Sequence, residues 1–98
     1  MIAPSSYCRD CEMPIGFVEV VDQDGKIVPV EPRPETMIAP RTDVPEAARK
    51  LRSRRYVPER TSGETMRVRR RSVYPLDSGV AGRYVDAYVD HRSVCKER

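Results

Sequence analysis

Cys8 and Cys11, separated by two residues near one end of the chain, and His91 and Cys95, separated by three near the other, are every cysteine and the only histidine of the 98 residues. Thiolate and imidazole are the donors a tetrahedral Zn2+ takes, and these four side chains make one complete Cys3His set. The short spacer of Cys8-Arg9-Asp10-Cys11 lets both thiolates turn toward one ion in a tight knuckle. On one turn of helix, the spacer of His91-Arg92-Ser93-Val94-Cys95 puts both side chains on the same face. A filled set of four predicts a closed structural site with one zinc per chain.

Other chemistry remains open at this level. A Cys-x-x-Cys pair also serves as a thioredoxin-like redox dithiol, although no βαβ pattern surrounds this one. The thiols and the imidazole are otherwise ordinary side chains, or three of them hold a catalytic zinc whose fourth position carries water. Seventy-nine residues separate Cys11 from His91, far more than the connection in a typical zinc finger or ribbon. With the one histidine assigned to metal, no imidazole base is left, and there is no Ser/His/Asp set or phosphate-cradling glycine loop. The expectation is a binding protein, not an enzyme, with no small-molecule substrate. Glu12 and Asp90 adjoin ligands in sequence and read either as partners of those ligands or as exposed carboxylates.

The elements that must position these ligands look weakly cored. One Phe, no Trp and 34% charged residues leave little large apolar surface, so the fold is expected to need a staple. An odd number of cysteines argues against a disulfide framework and for a reducing cytoplasm. No apolar run of signal-peptide or membrane-spanning length is present, so no membrane association is expected. We read a single zinc-stabilised domain over 1–98: a knuckle and hairpin over 1–40, a basic insertion over 41–75, and a C-terminal strand with the His/Cys pair over 76–98.

Within it, Ile15 to Val30 reads as two strands around Asp22-Gln23-Asp24-Gly25, where Gly25 supplies a positive φ. Pro29 cannot donate to a ladder and marks an edge or an end. The proline-rich stretch 31–43 reads as an extended connection. Thr42 or Asp43 as cap, Pro45 and Glu46 in the first turn, and Val44, Ala47, Ala48 and Leu51 at helical spacing predict a short helix over 43–55. Residues 59–64 read as a loop. Thr65 to Arg69 alternates as a strand with Met66 and Val68 on one face and Arg67, Arg69 and Arg71 on the other. Residues 83–90 alternate again, with Tyr84, Asp86, Tyr88 and Asp90 opposite Val85, Ala87, Val89 and His91. The predicted class is α+β: a small zinc-ribbon-like antiparallel sheet with one short basic helix inserted.

The net charge is +3, yet residues 1–40 carry −4, residues 41–75 carry +7 and residues 76–98 are neutral. Arg49, Lys50, Arg52, Arg54 and Arg55 on the predicted helix, with Arg67, Arg69, Arg70 and Arg71 on the predicted strand, converge in this reading on one positive surface. Such a surface neutralises phosphates without reading sequence, and Tyr56 and Tyr74 flank it as candidates to stack on bases. The rival partner is an acidic surface of a host protein, which the chain would dock on to modulate or inhibit transcription or defence machinery. Plain solvation of a thinly cored domain, or pairing with the acidic N-terminal half, also accounts for the arginines. No helix-turn-helix is visible, which argues against sequence-specific DNA binding.

Three segments carry a resemblance: Cys8-x-x-Cys11-x-x-Pro14-Ile15, then Gly25-Lys26-Ile27-Val28-Pro29-Val30-Glu31, then Tyr88-Val89-Asp90-His91-Arg92-Ser93-Val94-Cys95. Over 7–34 and 84–96, about 40% of the chain, the sequence resembles small, mostly uncharacterised zinc-ribbon-like proteins of actinobacteria and their phages. The resemblance implies Cys8, Cys11, His91 and Cys95 as ligands and a phage-encoded or phage-like protein acting in the host cytoplasm. Two departures stand out: Glu12 replaces the glycine common after the second knuckle cysteine, and the arginine-rich 41–75 has no counterpart in the group.

Overall fold

Valine, β-branched and suited to a pleated sheet, is the commonest of the core-forming residues. In the computed structural model, which describes residues 4, 6–62 and 65–95, they build seven strands: β1 (Ser6–Tyr7), β2 (Pro14–Val20), β3 (Lys26–Val30), β4 (Glu35–Pro40), β5 (Ser53–Ser62), β6 (Thr65–Val73) and β7 (Gly82–Ala87). A single α-helical turn, α1 (His91–Cys95), follows. β1 pairs antiparallel with the start of β2, and the β2–β3 hairpin turns through Asp24 and Gly25, both at positive φ. The chain is α+β, but the main sheet is mixed, because β2 runs parallel to β6 through Val18–Met66, Glu19–Arg67 and Val20–Val68. The long path from β2 to β6 supplies the crossover a parallel pair needs, which an all-antiparallel reading left out.

The hydrogen-bonded path closes on itself. β3 pairs with β2, β2 with β6 and β6 with β5. Tyr56 of β5 then exchanges both backbone hydrogen bonds with Tyr88, at 3.0 and 2.8 Å. One residue on, the Glu31 N–H donates to the Val89 carbonyl at 3.0 Å, and Val30 bridges Asp90. The segment just before α1 is thus the last stave of a small barrel. Its interior is Val18, Val20, Val28, Val30 and Val68 with Tyr56 and Tyr88, none more than 3% exposed. Each valine buried this way contributes about 1.5–3 kcal/mol relative to an exposed one. The core is accordingly larger than the composition suggests.

A second layer is the antiparallel β4–β7 ribbon, running from Glu35–Ala87 to Pro40–Gly82. It packs Met37, Ala87 and Val85 against Val57 and Val73 of the β5–β6 pair. Tyr56 and Val57 are therefore both buried, one toward the barrel and one toward the ribbon. Ile38 exchanges backbone hydrogen bonds with Tyr74, and together with Val80 they enclose Ala48.

Four sequence expectations change. The helix over 43–55 is a 3-10 segment, Glu46–Leu51, without a side-chain cap; only Ala48 of its stripe is buried, and Leu51 is exposed. One alanine cannot anchor three turns, whereas Arg54 and Arg55 gain a full ladder in β5. The proline-rich connection contains β4, which places Pro40 at its end. The loop over 59–64 is strand through Ser62, with Pro58 at a bulge where it breaks no ladder; residues 63–64 lie outside the described ones. Finally, Tyr88 is buried rather than exposed beside Tyr84, because the chain leaves β4 after Ala87 and joins the barrel.

Candidate metal centre

Barrel closure brings the Cys8–Cys11 pair and the His91–Cys95 pair together. Cys8 and Cys11 come from the turn between β1 and β2, where the Cys8 N–H donates to the Met13 carbonyl at 2.9 Å and the Glu12 N–H to the Cys8 carbonyl at 2.8 Å. His91 and Cys95 lie on α1, one turn apart on the same face. Asp90 fixes the start of that turn: its Oδ1 accepts the Arg92 N–H at 2.9 Å, and its Oδ2 accepts from the Arg92 guanidinium at 2.8 Å. Asp90 is thus the helix cap rather than a partner of a ligand.

The Sγ atoms of Cys8, Cys11 and Cys95 and a nitrogen of His91 all lie within 4.8 Å of one another. Cys8 Sγ is 3.6 Å from Cys95 Sγ, and Cys11 Sγ is 3.4 Å from His91 Nε2. A tetrahedral zinc bound at usual lengths has S–S edges of about 3.8 Å and S–N edges of about 3.5 Å. The donor set and its dimensions therefore fit one four-coordinate ion, and all four positions are supplied by the chain.

Glu31 completes the arrangement, and its role was not legible in the sequence. Its Oε2 lies 3.1 Å from His91 Nδ1. A proton held on Nδ1 leaves Nε2, the nitrogen facing Cys11, free to coordinate, and the carboxylate makes it a better donor. The position is the acidic end of the Gly25–Glu31 motif, the one available signal. Glu31 is itself positioned by the hydrogen bond from its N–H to Val89, two residues before His91. Glu31→Ala is expected to weaken metal affinity by roughly 10- to 100-fold while leaving the ligand set intact, measured by competition with a chromophoric chelator. Unchanged affinity would remove Glu31 from the site.

The electrostatics favour a bound cation. Backbone N–H groups of Cys11 and Asp10 draw the Cys8 thiol down to about 6, helped by His91. The neighbouring Cys8, followed by burial and Cys11, pushes Cys95 up to about 12. Burial lowers His91, but hydrogen bonds to Cys8 and Glu31 outweigh it and leave the imidazole above its ordinary value. A metal ion replaces these protons, so binding releases them and weakens on acidification.

Glu12 sits at φ 62° in the knuckle. The turn thus places a side chain in the left-handed region, which glycine occupies without strain. Glu12→Gly should therefore stabilise the loaded protein by up to about 1 kcal/mol in chemical denaturation, the relief of strain exceeding the added freedom of the unfolded chain. A destabilised variant would mean that Glu12 makes a compensating interaction.

The nine basic residues are spread over three elements and the residue that joins two of them. Arg49 and Lys50 are exposed on the 3-10 segment, with Arg52 exposed just beyond it. Arg54 and Arg55 lie on β5 and Arg67, Arg69, Arg70 and Arg71 on β6, and the register sets Arg54 opposite Ser72, Arg55 opposite Arg71 and Tyr56 opposite Arg70. Arg67 pairs with Glu19 at 2.7 Å and Arg69 with Glu59 at 2.9 Å. Arg70 lies 5.9 Å from the Tyr56 ring centre. Tyr56 and Tyr74 are 3% and 5% exposed, so neither is available to stack on a base.

No helix among the described residues is long and apolar enough to cross a membrane. Comparison with protein-family models, with curated proteins and with solved structures found no match.

Proposed function

We propose that this is a small, non-catalytic zinc protein whose metal is structural and whose arginine-rich β5–β6 surface contacts nucleic acid without sequence readout. The observation that carries the first half is the convergence of Cys8, Cys11, His91 and Cys95 within 4.8 Å, with Glu31 on the far nitrogen of the histidine. Four protein ligands leave no coordination position for water or substrate, and binding rather than catalysis follows. The second half is supported by the register that sets Arg55 directly opposite Arg71 on one face of the β5–β6 pair, with Arg54 and Arg70 on the other. The reading includes a zinc-ribbon-like ancestry shared with the small proteins of actinobacteria and their phages, and action in the host cytoplasm.

A second reading has its own observation. Exposed Tyr7 and Phe17, with Pro29, line a cleft of about 610 Å³ whose wall also includes Cys8, His91 and Cys95 and the charged Arg9, Asp10 and Arg92. A cleft with exposed aromatic side chains suits docking on a host protein to modulate or inhibit it.

Salt dependence separates the two. The zinc-loaded protein should bind fluorescent single- or double-stranded oligonucleotides of unrelated sequence alike. Affinity should fall on the order of 10- to 100-fold between about 50 and about 200 mM salt, as expected when a few phosphates are neutralised. Failure to bind oligonucleotides of either kind at low salt would overturn the nucleic-acid reading and leave the docking one.

A further inference from the structure

The three outward arginines of β6 do not have equivalent neighbours. Arg67 stands beside Glu19 of β2 in the parallel register and bonds to it at 2.7 Å. Arg69 is held by both carboxylate oxygens of Glu59, at 2.9 and 3.3 Å. Arg71 stands directly opposite Arg55 instead. Like charges directly opposed across an antiparallel pair destabilise it, and neither guanidinium forms an ion pair with any described residue. Glu59 senses the Arg71 charge, yet both of its oxygens are committed to Arg69.

Arg55 is also short of a hydrogen bond. It shares a face of β5 with Val57, its side chain is partly covered, and its Nε is buried without a partner among the described residues. A buried donor on a charged group costs free energy until something accepts from it. Two guanidinium groups directly opposed on adjoining strands, neither held by a carboxylate of the described residues, match the oxygens of a tetrahedral oxyanion.

We propose that Arg55 and Arg71 form an anion site that takes a phosphate group, and that on this protein the phosphate belongs to a nucleic-acid backbone. The inference rests on the nucleic-acid reading for the source of the phosphate, but not for the site. Arg67 and Arg69, neutralised by their own carboxylates, are outside it. The anion bridges the two strands and offsets the Arg55–Arg71 repulsion, which makes this pair the fixed point of contact on the ribbon.

The test uses the zinc-loaded full chain and two probes. With a fluorescent oligonucleotide, Arg71→Gln and Arg55→Gln should each weaken binding roughly tenfold at low salt and reduce the salt slope by about 1, while Arg67→Gln changes little. With inorganic pyrophosphate, the arginine N–H resonances of Arg55 and Arg71 should shift together in the native protein and stay still in Arg71→Gln. Arg71 is exposed, so this variant tests the site even if Arg55→Gln folds poorly; it should also melt slightly higher, since the repulsion is gone. Oligonucleotide binding unchanged in Arg71→Gln would overturn the pair as the nucleic-acid contact and leave the nucleic-acid reading standing. A pyrophosphate shift at both arginines without oligonucleotide binding would support the anion site and overturn its nucleic-acid source. Stillness of both resonances toward pyrophosphate would overturn the site itself.

Discussion

Stripping the metal from the full chain is expected to lower its midpoint of thermal unfolding by on the order of 20 °C. Metal present at about a thousand times its dissociation constant stabilises the state that binds it by about 4 kcal/mol. In a domain of this size each kcal/mol moves the midpoint by about 4–8 °C. The composition argued for complete unfolding without zinc. The valine barrel revises that: Val18, Val20, Val28, Val30 and Val68 are buried independently of the ligands, so the metal-free chain should keep β structure in the cold. What it loses first is the knuckle and α1, which are joined to each other through Cys8, Cys11, His91 and Cys95. Cys11→Ser should reproduce the loss, followed by circular dichroism, with hydrogen exchange accelerating first around 8–13 and 91–95. A Cys11→Ser protein that melts with the native one would remove the metal from the account of stability.

Gly82→Ala should be the most damaging single methyl group in the second layer. Gly82 pairs with Pro40 at the end of the β4–β7 ribbon. A Cβ there would overlap the Ala39 carbonyl and press to 2.9 Å from Ile38 Cγ2. Backbone cannot yield as a side-chain tip can, so the strands must separate where Ile38 holds Tyr74 and Ala48. Overpacking of this kind costs about 1–3 kcal/mol or more, read in urea denaturation as a lower midpoint. Gly79 is the control: at φ 81° it has nothing within 4 Å of a new Cβ, so Gly79→Ala carries the backbone strain alone, about 1 kcal/mol. Equal losses in the two variants would show that the close approach at Gly82 is relieved without cost.

Local signals carried the parts of this fold that local chemistry decides. The Cys8, Cys11, His91 and Cys95 cluster, the β2–β3 hairpin around Gly25, the alternation of β6 and the helical spacing of His91 and Cys95 were all legible, because spacing and turn chemistry act over a few residues. The misses share a different cause. β5 shows no alternation because it is covered on both sides, Tyr56 by the barrel and Val57 by the ribbon. The stretch 43–55 scored as helix on a stripe whose burial depended on partners, and only Ala48 found them. Tyr88 changes face because the chain changes sheets at that point, an event fixed by Tyr56, which is far away in sequence. Glu31 meets His91 only after the barrel closes across sixty positions, so no sequence window contained both.

The central claim is a closed Cys3His zinc site, and zinc-edge X-ray absorption on the purified full chain tests it most directly. With one zinc per chain by metal analysis, the account predicts three sulfur neighbours at about 2.3 Å, one nitrogen at about 2.0 Å and no further oxygen. Fewer sulfurs, an oxygen in the fourth position, or a chain that takes up no zinc would contradict it, returning Cys8, Cys11 and Cys95 to redox or incidental thiols or opening the site to catalysis.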